Sequence, residues 1–138
     1  MNYFKLEELV DQATFLKYGI SCWQFFDPKA LTMLEDFREF MGRPVTCNNW
    51  HIHEAYQFRG YRPGWCNVGA KGSAHRKGKA FDLDVKGMTA EEVRQKVMAN
   101  QDNPLLKNIQ RMEGMVNWIH IDTYDPPVGK SKIYIFHP

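Results

Sequence analysis

Phe81-Asp82-Leu83-Asp84-Val85 alternates apolar and acidic side chains without a break. Successive strand side chains point to opposite faces, so Phe81, Leu83 and Val85 are predicted to enter a core while Asp82 and Asp84 share the other face. Val116-Asn117-Trp118-Ile119-His120-Ile121-Asp122 repeats the pattern. There Ile119 and Ile121 lie on one side, and Trp118, His120 and Asp122 on the other. With Ile109-Gln110-Arg111-Met112-Glu113 before Gly114-Met115, it reads as a hairpin. A two-residue loop would pair Glu113 with Val116 and set Glu113 on the face of His120. A last strand, Ile133-Tyr134-Ile135-Phe136, follows a Pro126-Pro127-Val128-Gly129 loop.

Helical signals surround these strands. Asp27 suits an N-cap, Pro28 the first helical position and Gly42 the end. Between them Ala30, Leu31, Leu34, Phe37, Phe40 and Met41 recur at helical spacing, which predicts one buried stripe. Thr89 and Glu92 form a capping-box pair ahead of Val93, Val97 and Met98, and Asn100 to Pro104 ends that helix. Residues 1–26 carry a fainter helical pattern in Leu6, Leu9, Val10, Ala13 and Leu16, then an aromatic link expected to pack in the core. After a short strand from Pro44, residues 50–80 form a long irregular segment with five glycines. Such loops are more often functional than idle. The reading is one domain over residues 1–138, of α+β class, with an antiparallel sheet and flanking helices.

Composition excludes several classes. At 43% hydrophobic and 14% aromatic residues, the chain is a globule and not a disordered segment. A net charge of +2, from interspersed charges of both signs, argues against nucleic acid as a partner. No apolar run is long enough for a membrane span. Glu7 and Glu8 stand where a signal peptide has its apolar core, so synthesis in the cytoplasm without a signal peptide is expected. Cys22, Cys47 and Cys66 have no C-x-x-C spacing and read as buried free thiols. A monomer is expected.

The chemistry concentrates in two stretches. Ser73-Ala74-His75-Arg76-Lys77-Gly78-Lys79-Ala80-Phe81-Asp82 offers an imidazole and, seven residues on, a carboxylate; Trp118 to Asp122 offers a second imidazole. Asp82 and His120 each occupy the polar position of an alternating strand, and Gly78 allows the turn that returns His75 to them. Three N/O ligands are what a catalytic zinc takes while keeping its fourth position for water, so His75, Asp82 and His120 are the expected zinc ligands. Asp84, on the face of Asp82, is the alternative carboxylate.

These residues resemble the zinc-binding signature of the M15 peptidases, the D-alanyl-D-alanine carboxypeptidases and related phage endolysins. The likeness lies in Ser73-x-His75-x-x-Gly78-x-Ala80-x-Asp82 followed by Trp118-x-His120, with Arg59-Gly60-Tyr61-Arg62 and Asn67-Val68-Gly69 upstream. It is strongest over residues 45–124. It implies a hedgehog/DD-peptidase-like fold and selects Asp82 over Asp84. It also implies zinc-dependent hydrolysis of a peptide bond in peptidoglycan stem peptides, by a carboxypeptidase or endopeptidase of the phage lysis type acting on the cell wall after release or delivery. Many relatives carry an acidic residue three positions before the second histidine; here that position is Asn117, which cannot accept a proton. Glu113 is then favoured as general base. Asp122 is the competitor, or else a carboxylate that orients a ligand imidazole. The loss of the acid at 117 keeps open a non-catalytic zinc-binding module of a cell wall or virion.

Other candidates stand beside these. Arg62 offers a bidentate fork for a substrate carboxylate or carbonyl, with Arg59 as competitor. Ser73 either bonds near the metal or shapes its turn. His51 and His53 line the cleft, bind a second metal or face solvent. Trp50, Tyr61, Trp65 and Trp118 wall a groove or pack in the core.

Overall fold

The computed structural model describes residues 1–127 and 132–138. Three helices flank a five-stranded sheet of order β1-β2-β4-β3-β5. The helices are α1 (Gln12–Tyr18), α2 (Pro28–Met41) and α3 (Ala90–Met98). The strands are β1 (Val45–Thr46), β2 (Ala80–Val85), β3 (Arg111–Glu113), β4 (Ile119–Asp122) and β5 (Tyr134–Phe136). The α+β class is as expected. The β1–β2, β2–β4 and β3–β4 pairs are antiparallel, whereas β5 runs parallel to β3. The expected loop at Pro126 to Gly129 falls partly outside the described residues.

Capping chemistry places the helices where the sequence signals put them. The Asp27 carboxylate accepts from the Lys29 amide and Gly42 takes the left-handed conformation that ends α2. Thr89 and Glu92 make both bonds of the capping box at α3. The buried face of α2 is Ala30, Met33, Leu34, Phe37 and Met41, with Leu31 and Phe40 packed partly against it. The N-terminal pattern is corrected. Leu6, Leu9 and Val10 are buried, but the helix begins only after them, capped by Asp11, and Leu16 is 74% exposed. Thr14 is the buried member of that helix. All three cysteines are buried and free.

The expected hairpin forms with a different register. Arg111 pairs with Asp122 and Met112 with Ile121, so β4 starts only at Ile119 and residues 114–118 form the loop. Arg94 explains this. From α3 its guanidinium donates to the carbonyls of Val116 (2.8 Å) and Trp118 (3.2 Å), holding that stretch to the helix and away from the β3 ladder. One step further along the observed register sets Glu113 across from His120, not Val116. The Glu113 face was therefore read correctly but its neighbour was not.

Between β1 and β2 the long segment folds back along the sheet in irregular backbone and two 3-10 turns, Trp50–Ile52 and Ala74–Lys77. Gly78 ends the second turn at φ +67, and a Cβ there would lie 2.0 Å from the Phe25 carbonyl oxygen. Its own carbonyl accepts from the Asp27 amide at 3.0 Å, joining the turn to the start of α2. Gly78→Ala combines backbone strain with a backbone clash and is expected to destabilise by about 2–4 kcal/mol, read as a lower urea midpoint at unchanged slope.

Candidate metal and catalytic site

Three elements bring the site together. The β2–β4 register sets Asp82 directly opposite His120, and the 3-10 turn ending at Gly78 returns His75 above them. Two steps along the ladder, on the same face, Ala80 pairs with Asp122. Asp82, His120 and Glu113 thus form a row across three adjacent strands, with Phe136 of β5 beside Glu113. His75, Asp82 and His120 are all buried, and one donor atom from each lies within 4.8 Å of the others. Among the described residues no other group of three or more His, Cys, Asp or Glu side chains converges this way. His51 and His53 lie in or beside the Trp50–Ile52 turn, away from the trio.

The hydrogen bonds around the trio assign its protons. His75 Nδ1 lies 2.9 Å from the carbonyl of Gly60, which can only accept, so Nδ1 carries the proton. Burial lowers the His75 pKa and outweighs the hydrogen bond and charge of Asp82, leaving the ring neutral. Its Nε2 then presents a lone pair to Asp82 Oδ1, 3.2 Å away. Burial would also raise the pKa of Asp82, but the hydrogen bond and charge of His120 hold it well below the usual carboxylate range. Two lone pairs therefore face each other in a buried setting, an arrangement that a cation between them relieves.

His120 completes the donor set. Its Nδ1 lies 2.9 Å from Asp82 Oδ1 and its Nε2 lies 2.7 Å from Asp122 Oδ2. Burial lowers its pKa, yet the hydrogen bonds and charges of the two carboxylates prevail and raise it to about 9. A metal ion would displace the Nδ1 proton and leave Nε2–H donating to Asp122. Two imidazole nitrogens, each with its other ring nitrogen engaged, and one carboxylate fit zinc with a fourth position open.

Asp122 and Arg62 both lie at the site in engaged positions. Asp122 is fully buried. Its oxygens accept from His120, from Arg111 Nε at 3.0 Å and Nη2 at 2.8 Å, and from the Tyr124 amide at 3.0 Å. Arg111 is sandwiched between Tyr124 and Phe136, 5.0 and 4.3 Å from their ring centroids. Arg62 donates from Nη2 to Asp82 Oδ2 at 3.2 Å and from Nε to the Phe58 carbonyl at 2.8 Å. Beside it is Gly69, where a Cβ would come within 2.5 Å of Nη1.

Glu113 lines a cleft of about 470 Å³ over the trio together with Arg111, Trp118, Tyr124 and Phe136. It is half-buried, and burial raises its pKa in spite of the nearby His120 charge. Asn117 is exposed on the 114–118 loop. Ser73 caps the Ala74–Lys77 turn by accepting from the His75 amide at 3.2 Å, the turn-shaping role of the two read for it. Asp84 is not one of the converging trio and pairs instead with Arg59 at 2.7 Å. Of the four aromatics, Tyr61 stacks on Phe25 and Trp50 donates to the Val10 carbonyl, whereas Trp65 is largely exposed and Trp118 lines the cleft. Arg94 and Arg111 escaped the sequence reading, since the partners that matter at the site, the Val116 and Trp118 carbonyls and the Asp122 carboxylate, lie on other elements.

The family model for peptidase M15 matches residues 2–122. The chain belongs to the M15 peptidase family. No curated protein and no solved structure matches it. Membership makes this a peptidase domain of a generally zinc-dependent family, whose class of substrate is a peptide. No helix among the described residues is long and apolar enough to cross a membrane.

Proposed function

We propose that this M15 domain is a zinc-dependent hydrolase of peptide bonds in peptidoglycan stem peptides, acting at the cell wall, with His75, Asp82 and His120 holding the metal. The observation that carries the metal assignment is the convergence of buried His75, Asp82 and His120, with one ligand atom of each within 4.8 Å of the others. Held there, zinc would supply Lewis acidity for the scissile carbonyl and for the attacking water. Glu113 takes the proton of the attacking water on its carboxylate and returns it to the leaving nitrogen. Burial lifts its pKa toward that task. Asp122 is assigned to holding the His120 ring and its Nε2 proton, because both its oxygens are already engaged. Arg62 orients Asp82 through one nitrogen and offers the guanidinium edge beside Gly69 to a substrate carbonyl or carboxylate.

Protein purified without chelator is expected to carry one zinc per chain and to release new amino groups from purified peptidoglycan. A zinc content below about half an equivalent overturns the metal assignment. Full zinc with no release makes the domain the non-catalytic module.

A further inference from the structure

Arg76 follows the proposed ligand His75 in the chain, is half-buried and does not itself line the cleft. Its guanidinium gathers backbone carbonyls from a single segment. Nε donates to Ala70 at 3.2 Å, Nη1 to Pro63 at 3.2 Å and Gly64 at 3.4 Å, and Nη2 to Cys66. That segment makes little backbone pairing of its own. The Cys66 amide donates to the Pro63 carbonyl at 3.0 Å and the Ser73 amide to the Ala70 carbonyl at 3.1 Å. The arginine therefore makes more bonds to residues 63–70 than their own backbone does.

What the segment contributes to the cleft is a wall, formed by Val68, Gly69 and Ala70. Gly69 takes φ +75, and a Cβ there would meet Arg62 Nη1 at 2.5 Å. The wall thus lies directly against the guanidinium proposed to meet the substrate. His75 is held by different bonds, from Nδ1 to the Gly60 carbonyl and from its amide to Ser73 Oγ. Removing the Arg76 side chain leaves both of those in place. A planar fork can bridge several separate carbonyls, which the point charge of a lysine cannot.

We propose that Arg76 is a positioning residue for the substrate. It holds the 63–70 segment so that the Val68–Ala70 wall and the Arg62 edge meet the peptide already ordered. A wall ordered in advance spares the ligand the cost of ordering it on binding. The assignment rests on the peptidoglycan reading above.

The probe is the mixture of soluble fragments that a muramidase releases from purified peptidoglycan. Calorimetry on zinc-loaded Glu113→Gln protein reads binding without turnover. Adding Arg76→Ala is expected to weaken that binding about tenfold, with zinc still at one equivalent. Arg76→Lys is expected to weaken it nearly as much, because the charge stays and the fork is lost. In otherwise unaltered protein, Arg76→Ala should raise the apparent KM by a similar factor and leave kcat within about threefold. Tryptic cleavage after the exposed Lys71 should be faster in the same variant. No binding, equal affinities, full rescue by lysine, a loss confined to kcat, or loss of zinc overturns the assignment. If Arg76→Ala does not fold, the lysine variant decides alone. Parent protein that hydrolyses none of the fragments overturns the peptidoglycan reading, while the binding comparison still decides the role of Arg76.

Discussion

Glu113→Gln is expected to lower the hydrolytic rate by about 10²–10⁴ while zinc stays bound at one equivalent. Glutamine keeps the shape and one acceptor of the side chain but cannot take the proton of the attacking water. The residue lies outside the His75, Asp82 and His120 trio, so metal content separates loss of the base from loss of the site. The pH profile carries the same information. Glu113 has a pKa raised above 4.5, principally by burial, and a general base works only when ionised. Activity should fall as pH drops through that raised pKa, and the acid limb should disappear from whatever activity Glu113→Gln retains. Undiminished turnover in the variant would remove Glu113 from the mechanism.

Asp82→Asn is expected to do the most damage to the protein itself. Oδ1 of Asp82 faces both imidazoles and Oδ2 accepts from Arg62, all in a buried setting. Removing the charge leaves Arg62 and His120 buried without it. Breaking one partner of such a buried set destabilises by about 3–5 kcal/mol, a large share of the ~5–15 kcal/mol that holds a domain together. Zinc affinity should fall more than about 100-fold, beyond what loss of an orienting partner produces. Denaturant unfolding of the metal-free protein reads the first effect and competition with a zinc indicator the second. Glu91→Gln, which breaks the exposed Glu91–Arg94 pair, provides the comparison and should change stability by less than about 1 kcal/mol. Equal losses from the two substitutions would show that the buried charges are not coupled as described.

Features written in local periodicity were legible in the sequence. Phe81, Leu83 and Val85 are core residues because alternation and burial state the same fact twice. Asp27, Gly42, Thr89 and Glu92 act as caps because capping involves only residues a turn apart. The convergence of His75, Asp82 and His120 was readable for a related reason, since two of them sit at polar positions of strands whose other faces are apolar. What escaped depends on distant partners. The β3–β4 register was misread because Arg94, on α3, takes two carbonyls that a tight hairpin would have used. The exposure of Leu16 followed from a helix that begins later than its apolar pattern, at the Asp11 cap. The choice between base and orienting group for Asp122 needed the position of Arg111, which no spacing along the chain supplies.

The parallel strand β5 bears on where this domain can be divided. The family match ends at Asp122, yet Tyr124 and Phe136 lie beyond it and hold Arg111 between them. Phe136 also packs edge-on against the His120 ring, with centroids 5.3 Å apart. A fragment cut at the family boundary would retain all three proposed metal ligands but expose the hydrogen-bonding edge of β3, an invitation to sticky intermolecular pairing. Part of the aromatic wall of the cleft, Tyr124 and Phe136, therefore comes from beyond the family match, and the same segment braces a residue proposed to hold the metal.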